Sequence, residues 1–151
     1  MSIKYTHTNI ISKDWKKLAD FYVGVFDCKP VGNETHLIGN WVEKGSGVAG
    51  ADIVGIHLLM PGFDKDGPTL EIFQYSQNLG KQFPEVANRE GFGHIAFQVD
   101  DVNSVLEKVI ASGGNKVGEV AVKEFKSGVL TFVYVSDPEG NILELTKWEK
   151  K

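Results

Sequence analysis

Apolar and polar positions first alternate along the chain and then shift to a helical period. Over 3–11, Ile3, Tyr5, His7, Asn9 and Ile11 fall on one side of an extended chain, and Lys4, Thr6, Thr8 and Ile10 on the other. Period two predicts a strand. Beyond it, Trp15, Leu18, Ala19, Tyr22 and Phe26 recur every three or four residues, the spacing of an amphipathic helix. Ser12 or Asp14 can cap that helix, and Pro30 prevents it from continuing. The same order returns from residue 91. Gly91-Phe92-Gly93 opens a strand, His94-Ile95-Ala96-Phe97-Gln98-Val99. Asp100 or Asp101 can cap the next helix, whose apolar stripe is Val102, Val105, Leu106, Val109 and Ile110 and which Gly113-Gly114 ends.

The two halves also close alike. Asp66-Gly67-Pro68 leads into Thr69-Leu70-Glu71-Ile72-Phe73, and Asp137-Pro138-Glu139-Gly140-Asn141 leads into Ile142-Leu143-Glu144-Leu145. Each is a turn followed by a strand with one glutamate between apolar neighbours. Each half has room for two further strands, expected at about 34–42 and 52–60 in the first and about 115–124 and 129–135 in the second. The expected fold is therefore α+β, with two βαβββ modules in tandem that form a curved, mostly antiparallel sheet with a metal-binding cleft. Module one spans 3–76 and module two 91–149, joined by a polar linker over 77–90, within a single domain of 1–151. Neither module buries much core alone, and two can share one. Trp41, Phe73, Tyr75, Phe97, Phe132, Tyr134 and Trp148 are expected on strands, mostly as core.

Composition narrows the class. The chain has 151 residues, 42% hydrophobic and 24% charged, with 17 glycines, 5 prolines and a net charge of −4. This is the balance of one folded domain rather than of a disordered tail. No basic run stands out, which counts against nucleic acid. No apolar stretch reaches the ~18 residues of a membrane span, and the N-terminal residues lack the pattern of a signal peptide. The one cysteine, Cys28, fits a reducing compartment, and the expected location is cytoplasmic.

His7, Glu71, His94 and Glu144 carry the candidate chemistry. A carboxylate on a half-buried strand needs water or a charge partner, and so does a strand histidine. The repeat makes His7 the counterpart of His94, and Glu71 that of Glu144. Two imidazoles and two carboxylates balance a divalent cation and leave positions open for water or substrate oxygens, as catalytic metal sites do. The bland reading, four separately satisfied polar residues, has to account for their equivalent places in both halves. No phosphate loop follows Gly45-Ser46-Gly47. His36 and His57 lie beside no nucleophile in a hydrolase arrangement.

These pieces together resemble the vicinal oxygen chelate superfamily, which includes glyoxalase I, bleomycin-resistance proteins, extradiol dioxygenases and methylmalonyl-CoA epimerase. The resemblance rests on His7, on Pro68-Thr69-Leu70-Glu71-Ile72, on Gly91-Phe92-Gly93-His94-Ile95-Ala96-Phe97 with Val99-Asp100-Asp101, and on Asp137 to Leu145. It implies one divalent ion (Ni, Co, Zn, Mn or Fe) on His7, Glu71, His94 and Glu144. It also implies a small-molecule substrate with vicinal oxygens, whose enediolate-like anion the metal stabilises. Glu144 is the first candidate for the proton-transferring base and Glu71 the second. The implied activity is that of a glyoxalase-type isomerase or lyase. The alternatives are a small-molecule binding or antibiotic-resistance protein of the same fold, or an Fe(II) extradiol dioxygenase using His7, His94 and Glu144. Methylmalonyl-CoA epimerases usually carry glutamine where this chain has Glu71. Glutathione-using members tend to have an arginine where this chain has Ile11 and an asparagine where it has Tyr75; Arg89 lies close to a third expected position. The family often forms homodimers, and a homodimer is expected here.

Overall fold

The computed structural model describes residues 2–151. The chain forms two compact units, Met1–Gly80 and Lys81–Lys151. The first unit contains β1 (His7–Ile11), α1 (Trp15–Phe26), β2 (Lys29–Ile38), α2 (Asn40–Ser46), β3 (Asp52–Leu59) and β4 (Thr69–Tyr75). The second contains β5 (Ile95–Gln98), α3 (Val102–Ala111), β6 (Asn115–Lys116), β7 (Ala121–Phe125), β8 (Gly128–Ser136) and β9 (Ile142–Lys150). Among the described residues no helix is long and apolar enough to cross a membrane.

Each unit has its own mixed sheet. The first has strand order β1-β4-β3-β2, and the second β5-β9-β8-β6, with β7 also pairing with β8. The strand carrying the glutamate, β4 or β9, is interior to its sheet. It pairs in parallel with the unit's first strand and antiparallel with the strand that precedes it in the chain. The repeat in the sequence is thus a repeat of topology.

Packing fixes which face of each strand points to the helix. On β4, Leu70 and Ile72 are fully buried, as is Leu58 on β3. The first backbone amide of α1, from Trp15, donates to the Gln74 side chain on that same face at 3.1 Å. Leu18 and Tyr22 of α1 are buried with them. Period two sends Glu71, Phe73 and Tyr75 to the opposite face. There Phe73 packs with Val42, Ala51 and Ile53, against Leu37 and Tyr75. In the second unit Val133, Val135, Leu143 and Leu145 form the fully buried layer on the side of α3, whose Val109 is also fully buried. Glu144 points the other way.

The helix caps follow the sequence. Asp14 accepts from the Lys17 amide at 3.2 Å, and Asp101 from the Ser104 amide at 2.8 Å. Other boundaries move. The first strand begins at His7, not residue 3, and His94 lies one residue before β5 rather than within it. β2 starts at Lys29, several residues before the expected 34. It carries a bulge between Val31 and Thr35, with Gly32 at a φ of +71°. β2 is an edge strand, where Pro30 costs no ladder bond that a central strand would need. Trp41 is not on a strand. The chain breaks at Gly39, with φ at +105°, and turns into α2, where Trp41 is exposed and its indole donates to the Ile38 carbonyl at 3.1 Å. The expected strand over 115–124 is split into β6 and β7, with Gly118 between them.

The turn into β9 is built on Asp137, which is fully buried. Its carboxylate accepts from the Glu139 amide at 2.9 Å, the Asn141 amide at 3.0 Å and the Asn141 side-chain amide at 2.7 Å. Three donors replace the water lost on burial. Asp137→Ala strands those donors and is expected to cost about 3 kcal/mol in urea unfolding, with Asp137→Asn losing less. An alanine variant as stable as the parent would remove this turn from the account of how β9 is placed.

Cys28, next to β2, is also buried. Burial chiefly, and then the charge of Asp27, push its thiol up to about 12, while a backbone hydrogen bond acts the other way. The folded protein therefore keeps a neutral thiol where the unfolded chain ionises near about 8.5. Stability attributable to this group is complete below that value and is lost as pH rises from it toward 12. Cys28→Ala is expected to flatten that part of the stability profile relative to the parent. Iodoacetamide at pH near 8.5 should label Cys28 only in denaturant; rapid labelling of the folded chain would contradict its burial.

Candidate functional site

The parallel ladder between β1 and β4 sets His7 opposite Thr69, two residues before Glu71. The ladder between β5 and β9 sets Ile95 opposite Leu143. One residue further back, His94 falls opposite Ile142, again two before Glu144. Histidine and glutamate therefore stand in the same relation in both units and on the same face of each sheet. The side chains meet in both cases. His7 Nε2 lies 2.8 Å from Glu71 Oε1, and His94 Nε2 lies 3.0 Å from Glu144 Oε2.

The two pairs differ in surroundings. The Glu71 side chain is 8% exposed and that of Glu144 20%, with His7 at 47% and His94 at 30%. Each pair thus has a shielded carboxylate and a more open imidazole. On the far side of its ring, His7 Nδ1 lies 3.1 Å from Thr6 Oγ1. A partner on Nδ1 orients the ring and leaves Nε2 for Glu71 or for a cation. The His94 ring lies against Tyr134, with centroids 4.7 Å apart.

A third imidazole reaches Glu71. In the antiparallel β3–β4 pairing His57 stands directly opposite Glu71, and its Nε2 is 3.1 Å from Glu71 Oε2. Its ring meets the Phe73 ring edge-to-face at 5.5 Å. Sequence reasoning treated His57 only as unconnected to a nucleophile and missed this contact. The contact follows from the β3–β4 register, which pairs Leu59 with Thr69 and so brings 57 opposite 71. The counterpart of His57 in the second unit is Tyr134, directly opposite Glu144. The remaining histidine, His36, pairs with Asp52 at 2.7 Å in an exposed position, where such a pair contributes at most about 1 kcal/mol.

Nitrogen and oxygen donors of this kind suit a borderline or hard divalent cation. Within each unit the two donor atoms lie close enough to turn together to one ion. Among the described residues, no group of three or more His, Cys, Asp or Glu side chains stands in metal-holding geometry. Ile11 ends β1 as a half-exposed apolar residue, and Tyr75 ends β4. Neither side chain is a cation or an amide.

The sequence profile of the Glyoxalase/Bleomycin resistance protein/Dioxygenase superfamily matches residues 4–145. The chain is 30% identical over 115 residues to a probable lactoylglutathione lyase of Synechocystis sp., a match covering 66% of this chain and 82% of that protein. It is 27% identical over 142 residues to a lactoylglutathione lyase of Neisseria meningitidis serogroup A, covering 94% of this chain and 88% of that one. Among solved structures, a glyoxalase family protein from Bacillus cereus superposes with a TM-score of 0.77 at 17% identity, over 97% of this chain and 93% of that one.

Proposed function

The chain belongs to the Glyoxalase/Bleomycin resistance protein/Dioxygenase superfamily, and on that premise we propose that it is a divalent-metal-dependent isomerase or lyase of glyoxalase type. The substrate class is a small molecule with oxygens on adjacent carbons. The observation that carries the reading is the repeated pair, His7 with Glu71 at 2.8 Å and His94 with Glu144 at 3.0 Å, at equivalent ladder positions. A structural coincidence explains one such pair more easily than two. The proposed ligands are His7, Glu71, His94 and Glu144.

A divalent ion held by these residues supplies Lewis-acid stabilisation of negative charge developing on substrate oxygens. His7 and His94 contribute neutral Nε2 donors, with the Thr6 hydroxyl orienting the first ring. Glu144 is assigned the proton transfer between the substrate's adjacent carbons. It is the more exposed carboxylate and shares its oxygens with one imidazole, where Glu71 has two. Glu71 is assigned to holding the ion.

One observation bears on the substrate. Ile11 stands where the resemblance to glutathione-using members leads one to expect an arginine, and an apolar side chain cannot grip a carboxylate. A thiol other than glutathione, or an oxygenated substrate without one, fits this chain better.

Protein purified without added metal or chelator should hold about one divalent ion per chain by plasma mass spectrometry. Nickel, cobalt or zinc agrees with isomerisation, and iron turns the reading toward a dioxygenase. No ion, with none taken up when those metals are added, overturns it. Glu144→Gln should keep the ion yet lose turnover of methylglyoxal hemithioacetals, formed with a panel of thiols, by at least about 100-fold. If Glu71→Gln loses turnover with metal retained while Glu144→Gln does not, the two roles are exchanged.

A further inference from the structure

Glu71 is held at both carboxylate oxygens, and its two partners are not interchangeable. Oε1 faces His7, at the first residue of β1, and Oε2 faces His57, on β3. His7 has a hydroxyl at its other nitrogen, Thr6 Oγ1, so its Nε2 can carry a lone pair. An imidazole whose Nε2 binds a cation has no proton there to give to Glu71. When His7 and Oε1 turn to an ion, Oε2 of this buried carboxylate keeps one imidazole donor, the Nε2–H of His57. A buried carboxylate oxygen without a donor is costly, and ligating carboxylates are commonly held by such an outer hydrogen bond.

We propose that His57 is the positioning residue of the metal centre, donating from Nε2 to Glu71 Oε2 so that Glu71 offers only Oε1 to the ion. This rests on the metal-dependent reading above. The second unit shows what the contact adds. Tyr134 occupies the place of His57, directly opposite Glu144, with its ring against His94. Among the described residues Glu71 has two imidazole partners and Glu144 one. His57 therefore makes Glu71 the fixed ligand, and with Tyr134 in place of a second imidazole Glu144 is freer to move. The His57 and Phe73 rings meet edge-to-face, and Phe73 belongs to the apolar cluster with Val42, Ala51 and Ile53. The position of the donor is thus set by core packing.

The test is Ni(II) binding by calorimetry to the parent chain, His57→Phe and His57→Gln, with circular dichroism confirming that each metal-free protein is folded. Phenylalanine keeps the ring and removes the donor. Glutamine places an amide N–H close to the position of Nε2. His57→Phe is expected to weaken Ni(II) binding about 10- to 100-fold, and His57→Gln to restore most of it. Unchanged affinity in His57→Phe overturns the inference. Equal weakness in the two variants overturns the donor role. A parent chain that takes up no Ni(II) overturns the metal-dependent reading and this inference with it, an outcome distinct from a parent that binds and a variant that binds equally well. Nitrogen-15 NMR of the histidine rings needs no variant. On adding Zn(II), His7 Nε2 should take the shift of a coordinated nitrogen while His57 keeps a protonated Nε2. A coordinated shift on His57 overturns the proposal even if His57→Phe fails to fold.

Discussion

A carboxylate on the interior strand of a sheet, shielded from water, must find its hydrogen-bond donors among its neighbours, and Glu71 sets that demand in the first unit. β4 has β1 on one side and β3 on the other. Each flanking strand contributes one imidazole, His7 from β1 and His57 from β3. Among the described residues no lysine or arginine is paired with Glu71. Histidine is a ring N–H donor that a strand can supply without a long flexible stem, and its neutral form is also a metal ligand. The arrangement depends on register. A slip of one residue would turn Glu71 into the layer that holds Leu70 and Ile72, and turn those two residues out. The apolar packing beneath α1 and the polar cluster above the sheet therefore enforce each other.

The second unit repeats the topology with less constraint on its carboxylate. Glu144 has His94 as its imidazole partner, is more exposed than Glu71, and stands opposite Tyr134 rather than a histidine. A repeat with one tightly held carboxylate and one looser carboxylate suits chemistry that asks different things of two glutamates. Binding a cation favours fixed geometry, whereas proton transfer requires a carboxylate that can approach a substrate carbon. The approach to β9 is rigid even so. The buried Asp137 gathers the amides of Glu139 and Asn141 into a turn immediately before the strand.

The sequence by itself determined how each half opens, strand then helix, and the glutamate-bearing strand that closes it, because period two and period 3.6 are local properties of the chain. It determined the helices α1 and α3 and narrowed their caps to Ser12 or Asp14 and Asp100 or Asp101, since a cap needs only an oxygen close before the first amides; the structure selects Asp14 and Asp101. The repeat also placed His7, Glu71, His94 and Glu144 in matching positions without reference to structure. Tertiary structure decided what depends on pairing across the chain. His57 became a partner of Glu71 only when β3 folded back on β4, a contact between residues 14 apart whose meaning lies in ladder register rather than spacing. The bulged edge strand β2 and the turn of Trp41 into α2 follow from left-handed glycines at 32 and 39, where the backbone changes direction without altering the apolar pattern. Hydrophobic periodicity records which side of an element is buried. It does not record which neighbouring strand will lie against it, and the hydrogen bonds of a site are made between neighbours.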